Sequence, residues 1–234
     1  QNHEGISVWN RGNVLLGISG IWHGTKEWKD LTVDLGFVLS NDGIRFRQPV
    51  HEWTFLKRGE DGEWDQGGLL QGQGFENIGG QTFIYYGAWD PRAWQDSPPR
   101  GGVGIATLPR DRFADLRFDE TTKGPGNYQM PKTVGEFLTA SLERSKNGTQ
   151  RLAVNAHGLG KDASLRIELV NHDLTPLAGY SGKAAAFVRM NGFQTPVEWD
   201  SGRSVVNLPE RFRIKVTFVG ANRTDIRFSA LYLD

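Results

Sequence analysis

The chain says the same thing twice. The stretch from Gly20-Ile21-Trp22 through Val33-Asp34-Leu35-Gly36-Phe37-Val38-Leu39-Ser40-Asn41-Asp42-Gly43 is echoed by Gly87-Ala88-Trp89 through Gly102-Val103-Gly104-Ile105-Ala106-Thr107-Leu108-Pro109-Arg110-Asp111. Trp22 and Trp89 stand 67 positions apart, and Gly36 and Gly104 stand 68 apart. Apolar runs broken by Gly and ended by an Asp turn point to strands, and a β-rich repeat is most simply a blade of a β-propeller, although reference blades repeat at roughly 40 to 50 residues. A propeller closes with at least about four blades. Two blades fit before the pattern changes near residue 120, so the repeat reads as part of a larger ring or as a half that needs a partner.

With 234 residues, the chain has room for one large or two ordinary domains. Eight Trp, thirteen Phe and thirty Gly skew it toward short strands, tight turns and aromatic surfaces. The 27 basic and 27 acidic residues cancel, and no segment gathers the Lys and Arg that a phosphate backbone requires, so nucleic acid is not an expected partner. No apolar run approaches the roughly 20 residues of a membrane span. Cysteine is absent, which excludes disulfides and thiolate metal sites. No signal peptide is recognisable, and the first residue is Gln, which suggests a processing or cleavage boundary. Asn147-Gly148-Thr149 and Asn222-Arg223-Thr224 match the glycosylation acceptor pattern, which arises often by chance.

The expected class is all-β: a partial propeller of two blades over 1–120, a turn-rich linker at 121–133 and a β-sandwich over 134–234. Val14 to Trp22 and Thr82 to Trp89 are too continuously apolar for half-exposed strands and read as the buried middle strands of the blades. Asp42-Gly43 reads as a hairpin turn with positive φ. In the second region Leu165, Ile167 and Leu169 alternate with Arg166 and Glu168. Ile214, Val216 and Phe218 alternate with Arg213, Lys215 and Thr217, while Ile226, Phe228 and Ala230 alternate with Arg227 and Ser229. One dry and one wet face per strand is the pattern of a two-sheet sandwich.

Taken together, Ser7-Val8-Trp9-Asn10-Arg11-Gly12-Asn13, Trp22-His23-Gly24, the Asp34 to Phe46 stretch and Gln71-Gly72-Gln73-Gly74-Phe75-Glu76-Asn77 resemble the later blades of five-bladed propeller glycosidases. The resemblance is closest to glycoside hydrolase family 32 and looser to family 43, whose members often carry a trailing β-sandwich. It implies a secreted or periplasmic protein that acts on glycosidic bonds of a poly- or oligosaccharide. The Trp-x-Asn-Asp and Arg-Asp-Pro motifs typical of family 32 are absent, so a full set of catalytic acids cannot be assigned. Completion by an upstream segment, a companion chain or a homo-oligomer would be needed for catalysis. A non-catalytic carbohydrate-binding or self-associating β module is the alternative, and a sialidase-like or lectin-like propeller a weaker one. No cofactor or metal is implied.

Glycoside hydrolysis requires two carboxylates, about 5 to 5.5 Å apart for retention and about 6.5 to 9.5 Å for inversion. Glu4 is the candidate general acid. Glu76, flanked by glycines that permit close approach of a ligand, is a candidate substrate-binding residue. Gln71, Gln73 and Phe75 share the opposite strand face unless a bulge intervenes. Trp22 and Trp89 close equivalent strands and could stack on sugar rings or pack between blades. His23 and Asp90 follow them. Asp34 has a glycine, 101 or 102, at its counterpart in the second repeat, so the blade itself does not demand an acid there. Trp64-Asp65 and Trp94-Gln95-Asp96 lie in Gly- and Pro-rich loops, where binding residues concentrate.

Overall fold

The computed structural model describes residues 3–51, 53–93, 95, 101–120, 135–144, 149–199, 205–206 and 208–234, with backbone only at 3, 4, 149, 150, 205 and 206. The predicted linker at 121–133, Asn147-Gly148, Trp94 and Asp96 lie outside these residues. Among the described residues the protein is all-β, with several antiparallel sheets, none closed into a barrel, and helical structure limited to three-residue 3₁₀ turns. No described helix is long and apolar enough to cross a membrane. The chain forms two compact units, Gln1–Arg110 and Asp111–Asp234.

The first unit is built from two antiparallel meanders. Strands β1 (His3–Asn10), β2 (Leu15–His23), β3 (Thr32–Ser40) and β4 (Thr54–Leu56) form one sheet in chain order. Strands β5 (Leu69–Ile78), β6 (Gln81–Trp89) and β7 (Gly101–Pro109) form the other. The sequence echo is an echo of register. Ser19 pairs with Gly36 and Trp22 with Val33 in the first sheet; their counterparts Tyr86 with Gly104 and Trp89 with Gly101 pair identically in the second. Both long apolar runs become central strands, β2 and β6, because a strand with neighbours on each edge satisfies all its backbone groups without water.

The sheets are stitched at Gly67-Gly68. Gly67 O accepts the Val33 N–H at 3.3 Å, and Gly68 O accepts the Trp89 N–H at 2.9 Å. A side chain at Gly67 would collide with Asp90, and one at Gly68 would press on Val33 and the Trp89 carbonyl at 3.1 Å, so glycine lets the backbones approach. Trp9 stacks on Phe75 with centroids 5.5 Å apart, and Ile18, Val33, Leu35 and Phe37 are buried. Burial of each such side chain stabilises the fold by about 1.5–3 kcal/mol.

Two local expectations change. Asp42-Gly43 does not make a two-residue hairpin: Gly43 takes φ of 73°, but Asp42 is not in the left-handed region. The Asp42 carboxylate instead accepts the Ile44 and Arg45 N–H groups, and the chain rejoins β3 only at Arg47, opposite Leu39. In β5 a bulge does intervene. Gln71 pairs with Tyr86 and Phe75 with Ile84, so Gly72, Gln73 and Gly74 loop out over Tyr85, whose backbone and ring leave no space for a Cβ at either glycine.

In the second unit, β12 (Ser164–Asn171) and β16 (Arg211–Val219) are central to a sheet completed by β13 (Ala186–Val188), β8 (Gly135–Leu138) and β9 (Leu142–Glu143). A second sheet orders β14 (Gly192–Pro196), β11 (Leu152–His157) and β17 (Arg227–Leu233), and β10 (Thr149–Gln150) pairs with β15 (Val205–Val206). Leu165, Ile167, Leu169, Ile214, Val216 and Phe218 join Val154, Ala156 and Phe228 in one hydrophobic cluster. Glu168 lies on the polar face as predicted, opposite Lys215, but is buried there. A bidentate pair with Arg166, one bond at 2.8 Å, and the Gly182 N–H at 2.8 Å satisfy its carboxylate there. Residues 111–120 belong to this unit, where Leu116 bridges to Phe228 and Tyr232 donates to Asp111 at 2.9 Å.

Candidate functional site

The richest constellation gathers at one end of the first unit, where β2 and β6 finish and β3 and β7 begin. The turn after β2 creates it. Gly24 adopts φ of 109°, and a Cβ there would collide with the Asp30 carbonyl, so only glycine allows the chain to fold back. Thr25 donates to the Asp30 carboxylate at 2.8 Å, and Leu31 N–H closes the 3₁₀ turn Trp28–Asp30 on Trp28 O at 3.2 Å. This stands Trp28 between two other rings, 6.2 Å from Trp22 and 5.8 Å from Trp89, both edge-on. Trp28 is 51% exposed, whereas Trp22 and Trp89 are half-buried. A rigid indole cluster with one accessible ring is an amphipathic platform whose ordering entropy was met by folding.

Beside Trp22, His23 Nε2 lies 3.0 Å from Asp34 Oδ2. Asp34 is buried, and it also accepts the Arg58 N–H at 2.8 Å and the Arg58 guanidinium at 3.1 Å. The carboxylate therefore ties the strand ends to the loop that leaves β4. Buried charge is retained only when its lone pairs are met this way. The second sheet has its own pair: Asp90 accepts from the Arg92 N–H and Nε, each at 3.0 Å, and holds that guanidinium firmly charged.

The loop from Lys57 to Asp65 borders an open cleft of about 500 Å³ lined by Lys57, Arg58, Gly59, Glu60, Glu63, Trp64 and Asp65. Trp64 is 50% exposed and stacks on Tyr86, with centroids 6.1 Å apart and planes at 22°. The Tyr86 hydroxyl lies 3.2 Å from Asp65 Oδ2. Burial, reinforced by the Asp65 carboxylate, pushes the phenol's pKa up, so it remains a proton donor.

Of the residues predicted from sequence, Trp22, His23, Asp34, Trp89 and Asp90 thus lie at one end. Glu4 has its backbone there too, paired with Gly20 beside a bulge at Gly5, but its side chain lies outside the described residues. Glu76 and Gln73 are exposed. Glu76 pairs with Phe83, roughly 20 Å along β6 from Trp89 at the usual strand rise, so it does not join the cluster. Trp64, whose loop the sequence singled out, lines the cleft with Asp65, while Trp28 and Arg58 supply contacts that the sequence did not assign. Trp28 was legible only as an aromatic residue inside the charged turn Glu27 to Asp30, and Arg58 carried no signal, since its partner is 24 positions upstream. Among the described residues no group of three or more His, Asp or Glu side chains could hold a metal ion. Neither a protein-family model nor a curated protein matches the chain.

Proposed function

We propose that the chain is carbohydrate-active and that the Trp22–Trp28–Trp89 cluster holds a poly- or oligosaccharide as part of a glycoside hydrolase. The observation that carries this reading is the half-exposed Trp28 ring, fixed by two tryptophans and adjoining the His23–Asp34–Arg58 network. Indole faces match the C–H faces of sugar rings, and the neighbouring charged groups match sugar hydroxyls. The matched registers of the two meanders support propeller-type blades in the first unit, and the shared core of the two larger sheets supports a sandwich in the second. Val103 and Ile105, 81% and 56% exposed, support further sheet packing from an additional segment, a companion chain or a second copy.

One observation favours the non-catalytic reading. Both oxygens of Asp34 accept from Arg58, and both of Asp90 from Arg92, so both acids position neighbours rather than face a scissile bond. Calorimetry with fructans, arabinans and xylans tests binding: Trp28→Ala abolishes it if the cluster is the platform, and unchanged affinity ends that assignment. Hydrolysis before and after Glu4→Gln tests the acid; a folded variant with undiminished turnover removes Glu4 from the chemistry.

A further inference from the structure

We infer that the Trp64 cleft is a second sugar-ring subsite, specific for a neutral saccharide unit, which extends the platform at Trp28. This rests on the saccharide reading above. The cleft is prepared for a flat, hydroxyl-bearing ligand. One face of Trp64 leans on Tyr86 while half of its surface stays open, and a Cβ at Gly102 would meet its ring at 3.0 Å, so glycine there gives the indole its floor. Gly102 is the counterpart of Asp34. Where the first repeat carries an acid, the second has no side chain, and Trp64 occupies the space that this leaves.

The loop is held by contacts of its own. Asp34 fixes Arg58, Lys57 pairs with Glu60 at 2.8 Å, the Glu63 carboxylate accepts the Glu60 N–H at 2.7 Å, and Gln66 accepts the Gly62 N–H at 2.6 Å. Such a loop loses little entropy on binding. The Glu63 and Asp65 carboxylates line the cleft and supply acceptors for ligand hydroxyls. The chemistry also selects against anions. Both cations of the lining are paired with carboxylates, Lys57 with Glu60 and Arg58 with Asp34, and Glu63 and Asp65 add negative charge. A uronic acid would meet repulsion there, whereas a neutral pyranose or furanose ring would find an indole face edged by acceptors.

The test uses calorimetry on the whole chain with xylo-, arabino- and fructo-oligosaccharides of increasing length, and with oligogalacturonides as the anionic series. Affinity of the native protein is expected to rise from disaccharide to longer neutral oligomers, with no such rise for oligogalacturonides. Trp64→Ala should remove that rise, lowering affinity for the longest oligomers about tenfold while leaving disaccharide binding intact. Gly102→Val, which intrudes on the floor without adding charge, should do the same, and thermal unfolding checks that each variant folds. Full affinity for long oligomers in folded Trp64→Ala overturns the subsite alone. Equal gain from oligogalacturonides overturns the neutral specificity. Absence of binding by the native protein to every oligomer overturns the saccharide reading and the subsite with it.

Discussion

The two meanders of the first unit share a backbone register and almost nothing else. At matched positions, Leu35 and Phe37 are 0% and 4% exposed, while Val103 and Ile105 are largely open. Asp34 anchors a charge network where Gly102 makes room for an indole. His23 reaches across to Asp34, but its counterpart Asp90 turns to Arg92 instead. The repeat thus conserves what the backbone needs, namely glycines at close approaches and a Trp at the strand end. It leaves the positions that face the loops free to diverge into a binding surface.

The contrast at the apolar positions should give the largest effect. Leu35→Ala is expected to cost about 2–5 kcal/mol in chemical denaturation, while Val103→Ala at the equivalent position stays within roughly 0.5 kcal/mol. Equal losses would mean that the second sheet's face is covered in solution, and concentration dependence of the Val103 effect would identify a second copy as the cover.

The charge network comes next. Asp34→Ala leaves the Arg58 guanidinium and N–H without their shared acceptor and should cost about 1–3 kcal/mol, with faster amide exchange at Arg58 and across the loop to Asp65. If exchange in that loop is unchanged, Asp34 does not organise the cleft, and the difference from Gly102 loses its meaning.

The glycines sharpen the comparison from the other side. Gly36→Ala and Gly104→Ala occupy equivalent positions, yet the new methyl would strike Ile21 Cδ1 in one sheet and the Tyr86 ring in the other. Each should cost about 1–3 kcal/mol by overpacking. Ile21→Val should partly rescue Gly36→Ala and leave Gly104→Ala untouched, read as recovered thermal midpoints. Rescue of both would show that the cost is backbone strain common to the repeat and not the neighbour each glycine meets.

The smallest effect lies outside the repeats. Burial and, next, Arg112 press the His157 pKa below its ordinary 6.5. The unfolded chain therefore holds the proton more tightly, so this contribution to stability is complete above pH 6.5 and is lost as pH falls through the depressed folded value. The thermal midpoint of the second unit should fall modestly with acidification below pH 6.5, and His157→Gln should flatten that slope. An unchanged slope would assign the pH response to other groups.

Much of the fold was legible because it rests on local pattern. The apolar runs at Val14 to Trp22 and Thr82 to Trp89 read as middle strands, and β2 and β6 do have neighbours on both edges, while the alternation of Ile214, Val216 and Phe218 marked a face turned to a core. The Asp42-Gly43 signal was correct for a turn but not for its length, because the Asp42 side chain captured two backbone N–H groups that a tight hairpin would have left to the strands. Glu168 kept its predicted place on the polar face, opposite Lys215, but is buried there under Arg166 and the loop at Gly182, a cover that no strand period announces. Glu76 stood out for its neighbouring glycines, of which Gly72 and Gly74 form a bulge over Tyr85.

The sequence by itself determined that this is an all-β chain with an internal repeat, and it singled out Glu4, Trp22, His23, Asp34, Gln73, Glu76, Trp89 and Asp90, of which the side chains of Trp22, His23, Asp34, Trp89 and Asp90 lie at one end of the first unit. Strand pairing follows a period of two and a handful of turn residues, and both are written locally. Only the tertiary structure decided that Trp28 stands between Trp22 and Trp89, that Arg58 completes Asp34, and that Trp64 lies over Gly102. Those contacts join loops to strand ends that are distant in sequence. Their specificity comes from shape and charge meeting in space, which no local period encodes.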